Sequence, residues 1–342
     1  MRKIIFIFLL IITSYSQIYS QAGYGVYKFL DLPVSSRLAA LGGTNVSVSD
    51  NDLNFAFQNP SLLNAEMDNI VGLNMANYLA DIQFGSAMYT RSIGNNSFAV
   101  GIQYVDYGTF KYANELNNQV GDTYFTAKDY ALSLIYSRPI NDKISVGATL
   151  KPVYSVLESY TSFGVAIDAG VNYLSTSKLF SAGFVLRNLG TQLKGYYSDE
   201  YSQHYEPLPF DIQMGLSKKL DHAPLRLSLT LHNLQQWDLS YQSTNQTDLT
   251  DEESISLIDM AFRHSIFAVE FVPSKSFYLT AAYNHRRHAE MVMSGFKTMS
   301  GFSFGGGIKL YKFHVGFGMT QFQVGNYSYQ FSISTSLNDF RM

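Results

Sequence analysis

The sequence predicts an all-β fold: a transmembrane antiparallel β-barrel of about fourteen strands, with an N-terminal hatch segment ahead of it. Three observations carry that expectation. Short segments after residue 70 alternate apolar residues with small or polar ones, the gaps between them are alternately tight and long, and charged residues are scarce. The clearest segment interleaves Phe163, Val165, Ile167, Ala169, Val171 and Tyr173 with Gly164, Ala166, Asp168, Gly170 and Asn172. Strand side chains point to opposite faces with period two, so one row would meet hydrocarbon and the other a polar or crowded interior. The pattern recurs with Leu225, Leu227, Leu229 and Leu231 against Arg226, Ser228, Thr230 and His232. It recurs again with Tyr327, Tyr329, Phe331 and Ile333 against Ser328, Gln330, Ser332 and Ser334.

Composition agrees. Of 342 residues 46% are apolar and 15% charged, against roughly 25% charged in soluble domains. Tyr and Phe number 25 each, and such rings supply the aromatic girdles of membrane barrels. A formal charge of -3 offers no basic footprint for nucleic acid. The absence of cysteine excludes a thiol-linked lipid anchor, disulfides and thiolate metal sites, leaving backbone ladders to hold the barrel.

In chain order, Arg2 and Lys3 precede an apolar run over residues 4–12 and a polar stretch ending in Ser20, the pattern of a secretory signal peptide over residues 1–20. The run is shorter than the roughly 20 residues that span a bilayer. Residues 21–69 hold short apolar groups, among them Val34, Leu38, Leu41, Leu53, Phe55, Leu62 and Leu63. Such a segment cannot bury itself alone. A hatch in the barrel is preferred to a loose tail because Arg37 and the Asp50/Asp52 pair could meet lumen groups while Leu41 and Phe55 fill space. The barrel then occupies residues 70–342. Its strands are expected near 70–77, 81–91, 97–107, 128–138, 143–155, 162–173, 178–187, 209–219, 224–234, 263–272, 276–286, 301–311, 313–321 and 327–338. The gaps at 92–96, 139–142, 174–177, 220–223, 273–275 and 312 are short, and those at 108–127, 188–208, 235–262 and 287–300 are long. Short periplasmic turns, long external loops and an even strand number put both termini in the periplasm of an outer-membrane protein.

Motifs with possible chemistry have plainer explanations. Ser303, in a Gly-x-Ser-x-Gly match over 301–305, sits in an alternating strand and not at the strand-to-helix elbow that the hydrolase motif needs. The Ser-x-x-Lys pairs Ser175/Lys178 and Ser294/Lys297 lack the companion motifs of acyl-serine enzymes. His285 and His288 have no third ligand nearby, which favours a polar rim over a metal site. Asp248, Asp251, Glu252 and Glu253, with Asp259, form an acidic patch in the longest loop without the spacing of a calcium loop, and are the expected contact for a soluble partner. No catalytic group, cofactor or metal is expected. Small inward residues such as Gly147, Gly164, Gly170 and Gly305 leave interior room, which keeps transport open.

The stretches FLDLPVSSRLAALGG (residues 29–43) and QNPSL (residues 58–62) resemble the outer-membrane barrel family of the type IX secretion system, which in turn looks like the long-chain fatty acid transporter fold. NYLADI (77–82), YTSFGVA (160–166), RNLGTQ (187–192), EPLPFD (206–211) and NLQQW (233–237) narrow the similarity to the PorQ branch of the PorV/PorQ family. The resemblance implies a non-enzymatic scaffold in the cell-surface attachment complex of Bacteroidetes-type bacteria. Such a scaffold anchors a PorZ-like surface protein, alongside the sortase PorU and the shuttle PorV, as cargo is linked to anionic lipopolysaccharide. The barrel pattern supports a scaffold and a transporter of small hydrophobic molecules equally. Only the resemblance separates them, in favour of the scaffold.

Overall fold

A computed structural model describes residues 25–78, 82–113, 119–196, 205–239, 256–291, 299–323 and 326–340. The expected signal segment and the acidic residues Asp248, Asp251, Glu252 and Glu253 lie outside these ranges.

Fourteen antiparallel strands close into one barrel. They are β1 (Ile70–Asn77), β2 (Gln83–Ile93), β3 (Asn96–Ala113), β4 (Gln119–Pro139), β5 (Ile144–Leu157), β6 (Tyr160–Leu174) and β7 (Phe180–Lys194). The second half holds β8 (Asp211–Lys219), β9 (Leu225–Leu231), β10 (Ser265–Ser274), β11 (Phe277–Asn284), β12 (Phe302–Leu310), β13 (Phe313–Gln323) and β14 (Asn326–Ser336). The ring closes where β1 pairs with β14, from Ile70 opposite Ser336 to Asn77 opposite Tyr329. Closure leaves no strand edge, the condition for a β-structure to stand in hydrocarbon.

The alternation has the expected phase. On β6, Phe163, Ile167 and Val171 are exposed, whereas Ser162, Gly164, Ala166, Asp168, Gly170 and Asn172 are buried. Along β14, Tyr327, Tyr329 and Phe331 are exposed, with Ser328 and Gln330 buried between them.

One rim carries only short turns, at 94–95, 140–143, 175–179, 220–224, 275–276 and 311–312. The other carries the long connections 195–210, 232–264 and 285–301, together with brief ones such as 158–159. Three expected boundaries shift, each for a physical reason. The gap expected at 108–127 is mostly strand: β3 and β4 continue past the barrel body as a hairpin. There Thr109, Phe110, Lys111, Thr123 and Tyr124 are all exposed, so no alternation marks it. β3 also carries a bulge between Asp106 and Thr109, with Gly108 at φ +83°, and a bulge resets which face a side chain takes. β7 runs on to Lys194 past a bulge at Asn188, φ +54°. Among the described residues, the long connections also hold two short helices, α2 (Leu257–Arg263) and α3 (His285–Met291). α1 (Ser36–Ala40) lies earlier, inside the barrel.

Ile167, 47% exposed at mid-strand, tests the lipid face. Ile167→Lys should cost about 2–4 kcal/mol of folding stability in lipid vesicles, and Tyr160→Lys near the rim about 0–1 kcal/mol, read from urea midpoints. Equal losses at both positions would remove the depth dependence a bilayer imposes.

Candidate functional site

The lumen is where this barrel differs from an empty pipe. Residues 25–69 run through it as a chain of short turns, and every one after the first, Lys28–Asp31, is started by a side chain that accepts a backbone N–H. Ser35 Oγ accepts from Leu38 N at 3.3 Å to start α1. Asp52 accepts from Asn54 N at 3.1 Å, Asn59 from Ser61 N at 3.1 Å and Asn64 from Glu66 N at 2.9 Å, starting three 3-10 turns. Such caps satisfy the donors that a short helix leaves free. After α1, Gly42 and Gly43 take φ +91° and +112°, conformations other residues adopt only under strain.

This segment threads the barrel from rim to rim. Val26 N donates to Pro207 O at 3.0 Å on the long-connection side, and Leu337 N donates to Asn69 O at 2.8 Å on the short-turn side. Leu41 is completely buried and Phe55 is 1% exposed. They join an apolar cluster with plug residues Leu38, Leu53 and Leu62 and wall residues such as Met88, Ile135 and Val153.

The interior room expected at the inward glycines is filled. A Cβ on Gly147 would strike Pro60 and Ser61, one on Gly164 would strike Tyr27, one on Gly170 would strike Asn59, and one on Gly305 would strike Ala40. Gly183 and Gly318 lie against the backbones of Val46 and Ser36 in the same way. Wall glycines therefore act as sockets for the plug.

Charge fixes the plug's orientation. Arg37 is buried and lies 2.7 Å from Asp50, 3.5 Å from Asp52 and 3.0 Å from Glu270 of β10. Arg226 of β9 reaches Asp50 at 3.0 Å and Glu270 at 3.2 Å. The Arg37 guanidinium also sits 4.5 Å from the ring centre of Tyr278 and 5.1 Å from that of Phe55, within range of favourable cation–π contact with both. Burial by itself would raise the Asp50 carboxyl, but the two guanidiniums outweigh it and hold the group well below the usual carboxylate range. Asp52 moves the other way, because burial prevails over the more distant Arg37.

A second polar centre lies across the lumen. Lys151 Nζ is 2.5 Å from Asp168 and donates to Asn188 Oδ1 at 3.0 Å. Asn188 N donates to Asp168 Oδ1 at 2.8 Å, and Asn188 Nδ2 donates to Asp31 of the plug at 3.3 Å. The β7 bulge makes this possible, since it turns both Arg187 and Asn188 inward and lets Arg187 donate to Leu30 O at 3.1 Å. Single hydrogen bonds complete the perimeter: Thr44 to Gln213, Asn45 to Ser228, Ser47 to Ser217, and Asn74 to Asn54.

Arg37 and the Asp50/Asp52 pair were expected to meet polar lumen groups, and they do so at Glu270 and Arg226, but they also pair with one another, which was not expected. Neither these wall partners nor the second centre of Lys151, Asp168 and Asn188 was named from the sequence. Arg226, Asp168 and Glu270 lie on the inward phase of alternating strands, which is the signal that marks them. Ser303 lies within β12 and interacts with Arg287 and Thr320 at 3.2 Å each. Ser175 and Lys178 form the turn between β6 and β7, while Ser294 and Lys297 fall outside the described residues. His285 and His288 sit on α3: His285 pairs with Asp259 at 2.7 Å, and His288 lies 2.8 Å from Ser300 O. Among the described residues no group of three His, Cys, Asp or Glu side chains could hold a metal ion.

No protein-family model matches the chain, and no curated protein does. Solved structures do. The toluene transporter TodX of P. putida aligns with 90% of this chain and 99% of its own, at 11% identity and a TM-score of 0.51. The monoaromatic hydrocarbon channel CymD covers 88% of this chain and 96% of its own, at 12% identity and 0.53. A Pseudomonas aeruginosa FadL homologue covers 92% and 99%, at 11% identity and 0.51. The fold is that of the FadL-like outer-membrane barrels. At such identities the likeness carries the fold alone, and it says nothing of a secretion system.

Two outcomes test the charge cluster. Arg37→Met leaves Asp50 and Glu270 with one guanidinium between them, and should cost about 3 kcal/mol by urea unfolding in detergent, as breaking one partner of a buried pair does. An unchanged midpoint would show that the cluster does not hold the plug. For pH, a depressed folded-state pKa gives stability that is complete above the unfolded value near ~3.9 and is lost as pH falls below it. Asp50 therefore predicts a falling thermal midpoint below about pH 4, with Asp52 opposing part of the fall. Asp50→Asn should flatten that limb.

Proposed function

We propose that this chain is a non-enzymatic outer-membrane barrel whose lumen is sealed by its own residues 25–69, and that it serves as a membrane anchor for a soluble surface partner. The observation that carries this reading is the charged lock between plug and wall, Arg37 with Asp50, Glu270 and Arg226. A route for hydrophobic molecules needs a continuous apolar path. The inward rows of β9 to β11 instead present Arg226, Ser228, Thr230, Glu270 and Thr280, and the apolar interior beside β2 to β5 is taken up by the plug. The similarity of residues 29–43 and 58–62 to type IX secretion barrels, narrowed to the PorQ branch by residues 77–82, 160–166, 187–192, 206–211 and 233–237, supports a more specific role: holding a PorZ-like protein, with PorU and PorV nearby, at the site of cargo attachment. The long connections, including the acidic residues Asp248, Asp251, Glu252 and Glu253, are the contact surface in this reading, which places the short-turn rim in the periplasm.

A second reading has its own support. The solved structures with this fold are described as hydrocarbon channels and transporters, which favours a channel for small hydrophobic molecules with the plug as its gate.

One pair of measurements separates the two. Tagged protein purified from its native membrane should bring a surface protein with it, and removal of residues 243–255 should release that protein into the medium while the barrel stays in place. Liposomes carrying the barrel should take up toluene no faster than empty ones. Uptake well above background, with no companion protein, would favour the channel and sink the anchor.

A further inference from the structure

The long-connection rim carries an apolar surface that the lumen does not explain. α2 buries Met260, whose sulfur lies 3.3 Å from Leu239 N. On its other side Leu257, Ile258 and Phe262 are 75%, 70% and 44% exposed. With Ala261, also exposed, they make one stripe, because helix residues four apart share a face. A short helix in open water would turn polar side chains that way.

The position of the stripe decides what covers it. Phe262 meets Phe267 of β10 with ring centres 6.0 Å apart, and Phe267 belongs to the outward row with Val269 and Phe271, all exposed. Ring contacts continue from Phe262 to His285 at 5.7 Å, from His285 to Tyr283 at 5.9 Å, and from Tyr283 to Phe302 at 4.9 Å. Membrane barrels carry such rows of rings where the wall leaves the hydrocarbon. The acid of the helix is engaged elsewhere: Asp259 pairs with Arg263 at 2.8 Å and His285 at 2.7 Å. The stripe is thus uncharged and continuous with the lipid-facing surface.

We propose that α2 is an interfacial helix. It lies along the bilayer surface at the long-connection rim, with Leu257, Ile258, Ala261 and Phe262 seated where headgroups meet acyl chains. Its occupant is lipid. The helix thereby pins the connection between β9 and β10 to the membrane beside the barrel and sets the level at which the barrel floats. This inference rests on the membrane-barrel reading of the wall.

The chain has no cysteine, so one introduced thiol gives a unique spin label. Ile258→Cys, Phe267→Cys and Glu290→Cys would be labelled with a nitroxide in the full chain, reconstituted in phospholipid nanodiscs, and probed by collision with oxygen and with a water-soluble nickel chelate. The oxygen-to-nickel ratio at 258 should approach that at 267 and exceed that at 290 severalfold. A ratio at 258 matching 290 would overturn the inference while leaving the barrel reading intact. A label at 258 shielded from both reagents would overturn it too, because protein would then cover the stripe. A watery signal at 267 would remove the membrane reading and the inference together. Leu257→Cys repeats the measurement should Ile258→Cys fail to assemble.

Discussion

Everything in this structure follows from one requirement: a backbone N–H or C=O facing hydrocarbon must find a partner within the protein. A β-sheet meets it only by closing on itself, and the pairing of β1 with β14 does so. Closure creates an inside, and with fourteen strands that inside is wide. The wall cannot fill it with its own side chains where the inward row is Gly, Ala and Ser. Residues 25–69 supply the missing volume, and at Gly147, Gly183 and Gly318 the plug backbone comes so close that the wall has no space for a Cβ.

Filling the lumen raises a second problem, because polar wall groups cut off from water must also be paired. The plug answers with two faces. Leu38, Leu41, Leu53 and Phe55 pack among apolar groups, while Arg37, Asp50 and Asp52 meet Glu270 and Arg226. Buried ion pairs of this kind add little net stability, yet losing one partner is expensive. They specify one placement of the plug. Any opening of the lumen would have to separate these charges, and a ligand could open it only by binding the open state better by more than that cost.

The barrel was legible in the sequence wherever one face of a strand meets lipid and the other the plug, since alternation is then enforced residue by residue. It failed where that contrast ends. The β3–β4 hairpin beyond the body is exposed on both faces and carries no pattern, and the bulges near Gly108 and at Asn188 interrupt the phase at the points where the expected strands stopped. Within the lumen, the inward placement of Arg226 and Glu270 was readable from β9 and β10. Which plug residue each would meet was not, because Arg37 and Glu270 lie 233 positions apart in sequence and no local spacing relates them. α2 and α3 were hidden for another reason: each has 7 residues, too few for a helical period to stand out from a polar loop.

The path of the plug also bears on how the molecule comes to exist. Its described start is bonded to Pro207 at one rim, and its end passes into β1 at the other. A thread that runs the length of a hoop of hydrogen-bonded staves cannot be slipped in from the side once the hoop is shut. Drawing it endwise would drag Tyr27, Phe29 and Arg37 past walls they fit closely. Hoop and thread can therefore part only if a seam between two staves opens or the thread is pulled endwise against every one of those contacts.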